Sequence, residues 1–245
     1  MENAAYIGLS RQMTLRRELD LVANNIANAD TTGFKVEQLL VGAEIGQRAR
    51  NDSIRPSASF VLDNGVGRDF GQGSIKTTGR PLDFALDGEG AFFVVQDANG
   101  QAYTRDGAFT MDPEGRLTTK QGLPVLGGGA EIVLDPDLGP PSIGHDGSIT
   151  QNGRVTGQMS SVRFDALGVL EKGGDGLYRN RSNVQPTETT DVPILQGMLE
   201  SSNVNPLVEI TNLVEISRAY ESVSRMVENT NDLSRRAVER LGKAA

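Results

Sequence analysis

Between Asn205 and Leu241, apolar and small residues recur in alternating steps of three and four: Leu213, Ile216, Tyr220, Val223, Val227, Thr230, Ser234, Ala237 and Leu241. This is the heptad seam of a coiled coil. Met226 and Leu233 widen the stripe, while acids and arginines occupy the other faces. Asn205 suits an N-cap, Pro206 suits the first helical position, and no further Gly or Pro appears before Gly242. The spacing predicts a helix of about 36 residues, roughly 54 Å long. Such a stripe needs partners along its whole length. An intramolecular helix pair is the plain reading, and cover by other copies or other proteins is the sharper one.

A second stripe lies near the N-terminus. Leu15, Leu19, Val22 and Ile26 follow a four-three-four spacing, with Leu9 and Met13 continuing it less regularly. Asn24, Asn25 and Asn28 are poor helix formers, so this helix should stop between Asn28 and Gly33. Their amides either mark a solvated helix end or hydrogen-bond across a packed interface. Gly33 is expected at positive φ, so that Phe34 can fold back onto apolar surface.

Between the helices the pattern is β. Phe60 to Gly67 reads as a strand, an Asn64-Gly65 turn and a return strand, with Pro56 making any strand there an edge. Ala91-Phe92-Phe93-Val94-Val95 is a continuous apolar run suited to a buried strand. Turns follow at Asp97–Gly100, Asp106-Gly107 and Asp112–Gly115, a spacing typical of a sandwich or small barrel. The expected fold is α+β, with terminal helices paired as a coiled-coil-like base that carries a central all-β domain. Its parts are an N-terminal helix (1–35), a connecting arm with a hairpin (36–74), the β domain (75–200) and a C-terminal helix (201–245). The shorter first helix, about 39 Å, cannot cover all of the second stripe. The remainder is an exposed apolar strip of the kind that marks an interaction site.

Composition narrows the function. A net charge of −8 without a basic patch disfavours nucleic acid. With no Cys, disulfides and thiolate metal sites are excluded. No apolar run is long enough to span a membrane, and the N-terminus lacks the pattern of a cleaved signal peptide. The lone His145 sits in a Gly-rich loop with no second ligand at metal-binding spacing. Asp83, Asp87 and Glu89 could do acid–base work or hold a cation, but Asp87-Gly88-Glu89-Gly90 reads better as a hairpin turn with solvated acids. No enzyme chemistry and no cofactor are expected from these residues.

Four stretches carry a resemblance. They are Ala23–Lys35 (Ala-Asn-Asn-Ile-Ala-Asn-Ala-Asp-Thr-Thr-Gly-Phe-Lys), Gly71–Val95, Tyr103–Phe109 with Gly122–Gly127, and Leu199–Pro206 with Glu215–Glu221. In that order and spacing they resemble the rod and hook family of bacterial flagellar axial proteins. Glu2–Gln12 and the modest length resemble a proximal rod member more than a distal rod or hook member. The resemblance implies a structural subunit without catalytic activity. Such a subunit polymerises through its terminal helices into a helical tube that transmits torque and serves as an export channel. It also implies a place in the basal body's periplasm-spanning rod, reached through the type III export apparatus without a cleaved signal. Other copies and other rod proteins would be its partners, with no membrane insertion. The expected assembly interface comprises Leu15, Leu19, Val22, Asn24, Asn25, Ile26, Asn28, Leu213, Ile216, Tyr220, Val223 and Val227, with Gly33 and Phe34 as hinge and cap. The alternative from another class is a soluble β-sandwich enzyme or carbohydrate-binding module on a helical stalk.

Overall fold

The computed structural model describes residues 2–45, 59–182, 184–189 and 191–242. The chain forms two compact units. The first gathers Met1–Ala27, Glu37–Gly67 and Asn205–Ala245, and the second gathers Asn28–Val36 and Arg68–Val204.

The first unit holds helix α1 (Glu2–Ala27) and helix α2 (Pro206–Gly242). Asn205 caps α2, its side-chain oxygen accepting from the Leu207 amide at 3.1 Å. The helices run antiparallel. Gln12 Nε2 donates to Tyr220 Oη (3.1 Å) and Ser224 Oγ (3.0 Å), and Asn25 Nδ2 donates to Glu209 Oε2 (3.0 Å). Gly8 is buried where a Cβ would come within 2.7 Å of Val227 Cγ2, so its lack of a side chain lets the helices approach. Gly8, Gln12, Leu15, Leu19, Val22 and Ile26 thus form one line in steps of four and three, all at least partly covered. Leu9 and Met13 do not continue the covered stripe. Each sits one residue, about 100°, off that line and is exposed.

Strands Glu37–Ile45 and Ser59–Arg68 pair as a two-stranded sheet. This corrects the expected Asn64-Gly65 hairpin. Phe60 to Gly67 is one uninterrupted strand, and Gly65 takes φ +103 without reversing the chain. Pro56 lies outside the described residues.

The second unit is built around Ala91–Asp97. This strand pairs antiparallel with Gly100–Thr104 (Val94 opposite Tyr103), with Val125–Gly127 (Val94 opposite Leu126) and with Ser161–Arg163 (Phe92 opposite Val162). It belongs to an eight-stranded sheet whose other members include Tyr178–Asn180 and Leu170–Lys172. Both of its faces are covered, which is why the run is continuously apolar rather than alternating. Ala91, Phe93 and Val95 pack with Phe109, Leu117, Val125 and Ile149. Phe92 and Val94 pack with Tyr103, Phe164 and Tyr178. Edge-on ring contacts, Phe93–Phe109 at 5.2 Å and Tyr103–Phe164 at 4.8 Å, lock the two sides.

Two small ladders close the unit. Ile75–Thr77 pairs with Met198–Glu200, and Phe84–Leu86 pairs with Ile194–Gln196. The Asp87–Gly90 turn therefore joins strands that pair elsewhere, and is not the hairpin turn expected from its sequence.

Candidate assembly surface

On α2 the covered positions follow the heptad pattern. Leu213, Ile216, Tyr220, Val223, Val227 and Thr230 are all half-buried, and none is fully buried. The side chains of Ser234, Ala237 and Leu241 lie outside the described residues. A second apolar line occupies the other side of the helix. Leu207, Ile210 and Val214, spaced three and four apart, are exposed, with Leu207 at 74%. Leu233 is 60% exposed. On α1, Tyr6, Leu9 and Met13 make a matching exposed line. The first unit therefore turns large apolar side chains to solvent from both helices, a feature that marks an interaction surface.

The end of α1 is fixed by one amide. Asn25 is buried, its Nδ2 donating to the Glu37 carbonyl (2.8 Å) as well as to Glu209, while its Oδ1 accepts from the Glu37 amide (3.0 Å). Beside it, α1, α2 and the first strand enclose a groove of about 200 Å³ floored by Leu21, Val22, Leu39 and Ile216. Its charged lining residues, Glu18, Glu37, Glu209 and Glu215, are all acidic.

Of the other residues expected at an interface, Leu15 and Val22 are buried, Leu19 and Ile26 half-buried and Asn24 exposed. Asn28 belongs to the second unit, where its Oδ1 accepts from Thr31 Oγ1 (3.1 Å) in a turn.

That turn leads to a buried ionic cluster inside the second unit. Lys35 and Glu200 are each 1% exposed and Arg105 is 2% exposed. Lys35 Nζ donates to Glu200 Oε1 and to the Gly71 carbonyl, both at 2.6 Å. The same Oε1 accepts from the Gly73 amide at 2.8 Å. Arg105 Nε donates to Glu200 Oε2 (2.7 Å), while its Nη1 and Nη2 donate to the carbonyls of Ala91 (2.7 Å) and Gly88 (3.0 Å). Burial holds the Lys35 ammonium below the ordinary lysine range, although the Glu200 charge opposes this. The Gly33 amide donates to the Glu200 carbonyl at 2.8 Å.

Gly33 takes φ +68, and a Cβ there would lie 2.5 Å from the Arg105 carbonyl carbon. Phe34 is buried with Val36 and Val204, and Lys172 Nζ sits 3.7 Å above its ring. Asn203 joins these segments. Its Oδ1 accepts from the Val36 amide (2.8 Å), and its Nδ2 donates to the Asp69 carbonyl (2.9 Å). Lys35, Arg105, Glu200 and Asn203 were not singled out from sequence, though each lies in a stretch that carries the resemblance. The available signal was a charge set among small and apolar neighbours, as in Gly-Phe-Lys-Val and Gly-Met-Leu-Glu.

The residues considered for chemistry do not converge. Asp87 and Glu89 are exposed on a turn, and His145 is exposed in a loop. Asp83 is fully buried, with Arg80 Nη2 at 3.1 Å but no well-aligned hydrogen bond to its carboxylate among the described residues.

Three stretches match known families. Residues 6–35 match "Flagella basal body rod protein", residues 85–151 match "Flagellar hook protein FlgE/F/G D1 domain", and residues 195–240 match "Flagellar basal body rod FlgEFG protein C-terminal". Over 99% of both chains the sequence is 55% identical to the flagellar basal-body rod protein FlgF of Caulobacter vibrioides. It is 38% identical to FlgF of Mesorhizobium japonicum, again over 99% of each chain. Similarity to the rod protein FlgG of Bacillus subtilis is lower, at 30% over 95% of this chain and 97% of that one.

Proposed function

We infer the function of this chain from the family to which it belongs, the flagellar basal-body rod proteins: it is a structural subunit of the bacterial flagellar basal-body rod. The carrying observation is the 55% identity to a rod protein across 99% of the chain. Within the rod, identities of 55% and 38% to two FlgF proteins, against 34% and 30% to two FlgG proteins, favour a proximal position.

The subunit assembles through its first unit. Helices α1 and α2 act as a coiled-coil-like pair whose inner seam is half-closed within one chain and completed by neighbours. The exposed lines Tyr6-Leu9-Met13 and Leu207-Ile210-Val214 face other copies or other rod proteins, and burying them supplies the drive for polymerisation. The resulting tube transmits torque and passes export substrates, and the chain reaches it through the type III export apparatus. The second unit contributes a stable body. Its Lys35–Glu200–Arg105 cluster fixes the chain just after α1 and just before α2.

The test compares Val223→Asp with Arg225→Ala in cells lacking the wild-type protein. Val223 is half-buried on the seam, where a carboxylate must be desolvated or displaced. Arg225 is exposed off the seam, where charge changes cost about 0–1 kcal/mol. The expected result is normal folding of both proteins, with loss of basal-body incorporation and swimming for Val223→Asp alone. Equal swimming by the two strains would sink the seam assignment.

A further inference from the structure

We propose that Asn152 is a site of spontaneous deamidation, selected from three Asn-Gly pairs by the turn in which it sits. A glycine after asparagine leaves the next backbone nitrogen sterically open to attack the side-chain amide. The chain holds three such pairs, Asn64-Gly65, Asn99-Gly100 and Asn152-Gly153. Ring closure also has a backbone requirement. The glycine nitrogen must swing round beside the asparagine Cβ, which needs an asparagine ψ of about −120°, the value at the first central residue of a type II′ turn.

Asn152 and Gly153 are exposed and form the two-residue turn between strands Ser148–Gln151 and Arg154–Gln158, with Gln151 opposite Arg154. Their φ values, +49 and +76, have the signs of a type I′ turn. Among the described residues, Asn152 is the one non-glycine at positive φ. Types I′ and II′ share that positive φ and differ by a flip of the central peptide plane. Both suit the twist of a hairpin. The flip brings Asn152 to the ring-closing ψ and Gly153 to negative φ, which glycine adopts as readily as positive. The Gly153 nitrogen can therefore reach Asn152 Cγ while Gln151 and Arg154 stay paired.

The other two pairs lack this route. Asn64-Gly65 lies inside strand Ser59–Arg68, and Asn64 Nδ2 packs 2.5 Å from where a Cβ on Gly42 would stand. Asn99 is not at positive φ, and Gly100 pairs with Asp97 at the end of its ladder. The same rotation would break a strand at Asn64 and unseat Gly100 from Asp97.

The reaction consumes only water. The Gly153 nitrogen bonds to Asn152 Cγ, and the Cγ–Nδ2 bond breaks. Nδ2 leaves as ammonia, carrying the Gly153 amide proton. Water then opens the succinimide at either carbonyl. Opening at Cγ leaves aspartate, while opening at the main-chain carbonyl leaves isoaspartate, whose backbone is one carbon longer. That longer loop adjoins buried Gln151, whose Oε1 accepts from the Asp135 amide (2.9 Å) and whose Nε2 donates to the carbonyls of Asp135 (3.0 Å) and Gly139 (2.9 Å). Deamidation thus acts on the side chain that pins the 135–139 segment.

The test ages the purified full chain in mildly alkaline buffer, once folded and once in concentrated urea. Peptide mapping by mass spectrometry follows the gain of one mass unit at each asparagine, and an isoaspartate-specific methyltransferase labels the rearranged product. In the folded protein, position 152 is expected to react several-fold faster than positions 64 and 99. In urea, where the same dipeptide decides all three, the rates should converge. Equal rates at the three positions in the folded chain would overturn the proposal. So would an unreacted Asn152 in the folded chain over a period in which the urea sample deamidates there completely.

Discussion

Replacing Glu200 with Gln removes one charge and almost no volume, and leaves Lys35 and Arg105 buried without their shared counter-ion. In the wild-type protein both Glu200 oxygens are engaged, Oε1 by Lys35 and the Gly73 amide and Oε2 by Arg105. A glutamine oxygen can still accept from one of these groups, but its amide nitrogen must then face a cation. Breaking a buried ion pair by removing one partner costs about 3–5 kcal/mol. For a unit of this size each kcal/mol lowers the melting temperature by about 2–4 °C, so a drop of roughly 6–20 °C is expected. The pH dependence adds a sign. Because burial lowers the Lys35 pKa, the folded protein holds fewer protons than the unfolded chain between the lowered value and the ordinary one. Stability therefore rises with pH across that window. Removing Glu200 lowers the Lys35 value further, so the variant begins to gain stability at a lower pH than the wild type. Its deficit should narrow as pH rises. Thermal unfolding of the purified variant across mildly acidic to alkaline buffers, with exposed Glu188→Gln as control, makes the measurement. A loss below about 1 kcal/mol, typical of an exposed pair, would refute the cluster's role, and so would a deficit that widens with pH.

Gly33→Ala and Gly33→Asn should both destabilise the second unit, measured as a lower urea midpoint with an unchanged slope. Asn tolerates positive φ, but any Cβ at this position meets the Arg105 backbone. Arg179 binds Asp97 and Asp175, and its hydrogen bonds hold both carboxyls below their ordinary range. A lowered carboxyl pKa stabilises the fold above the unfolded value and is lost as pH falls through the folded one. The difference in melting temperature between wild type and Arg179→Gln should therefore be greatest near neutrality and vanish in acid.

The two helices were legible because their periodicity is local. The α2 seam, its Asn205 cap and its length can all be read from spacing within one segment. The apolar run at Ala91–Val95 was legible for the same reason, as a strand covered on both faces. The small ladders were not, since Phe84–Leu86 finds its partner at Ile194–Gln196, more than a hundred residues away, and three-residue strands have too few positions to show alternation. At Asn64-Gly65 the dipeptide suggested a hairpin, but pairing with Glu37–Ile45 carries the strand straight through. The exposed face of α2 was missed because Leu207, Ile210 and Val214 form a second line that a single-seam reading discards. Gly33 was identified as a conformational position. Its steric role depends on Arg105, which no local pattern brings near it.

The central claim is that the first unit is buried by neighbouring subunits in the rod. Single cysteines at Tyr6, Leu207 and Leu233 test it directly, with Val155 of the second unit, 72% exposed, as a reference position. Each variant is exposed to a maleimide as purified monomer and again within isolated basal bodies. The three helix positions should react readily in the monomer and be protected in the basal body, with Val155→Cys reporting on access to the second unit. Labelling of all three helix positions in assembled basal bodies as fast as in the monomer would contradict the account.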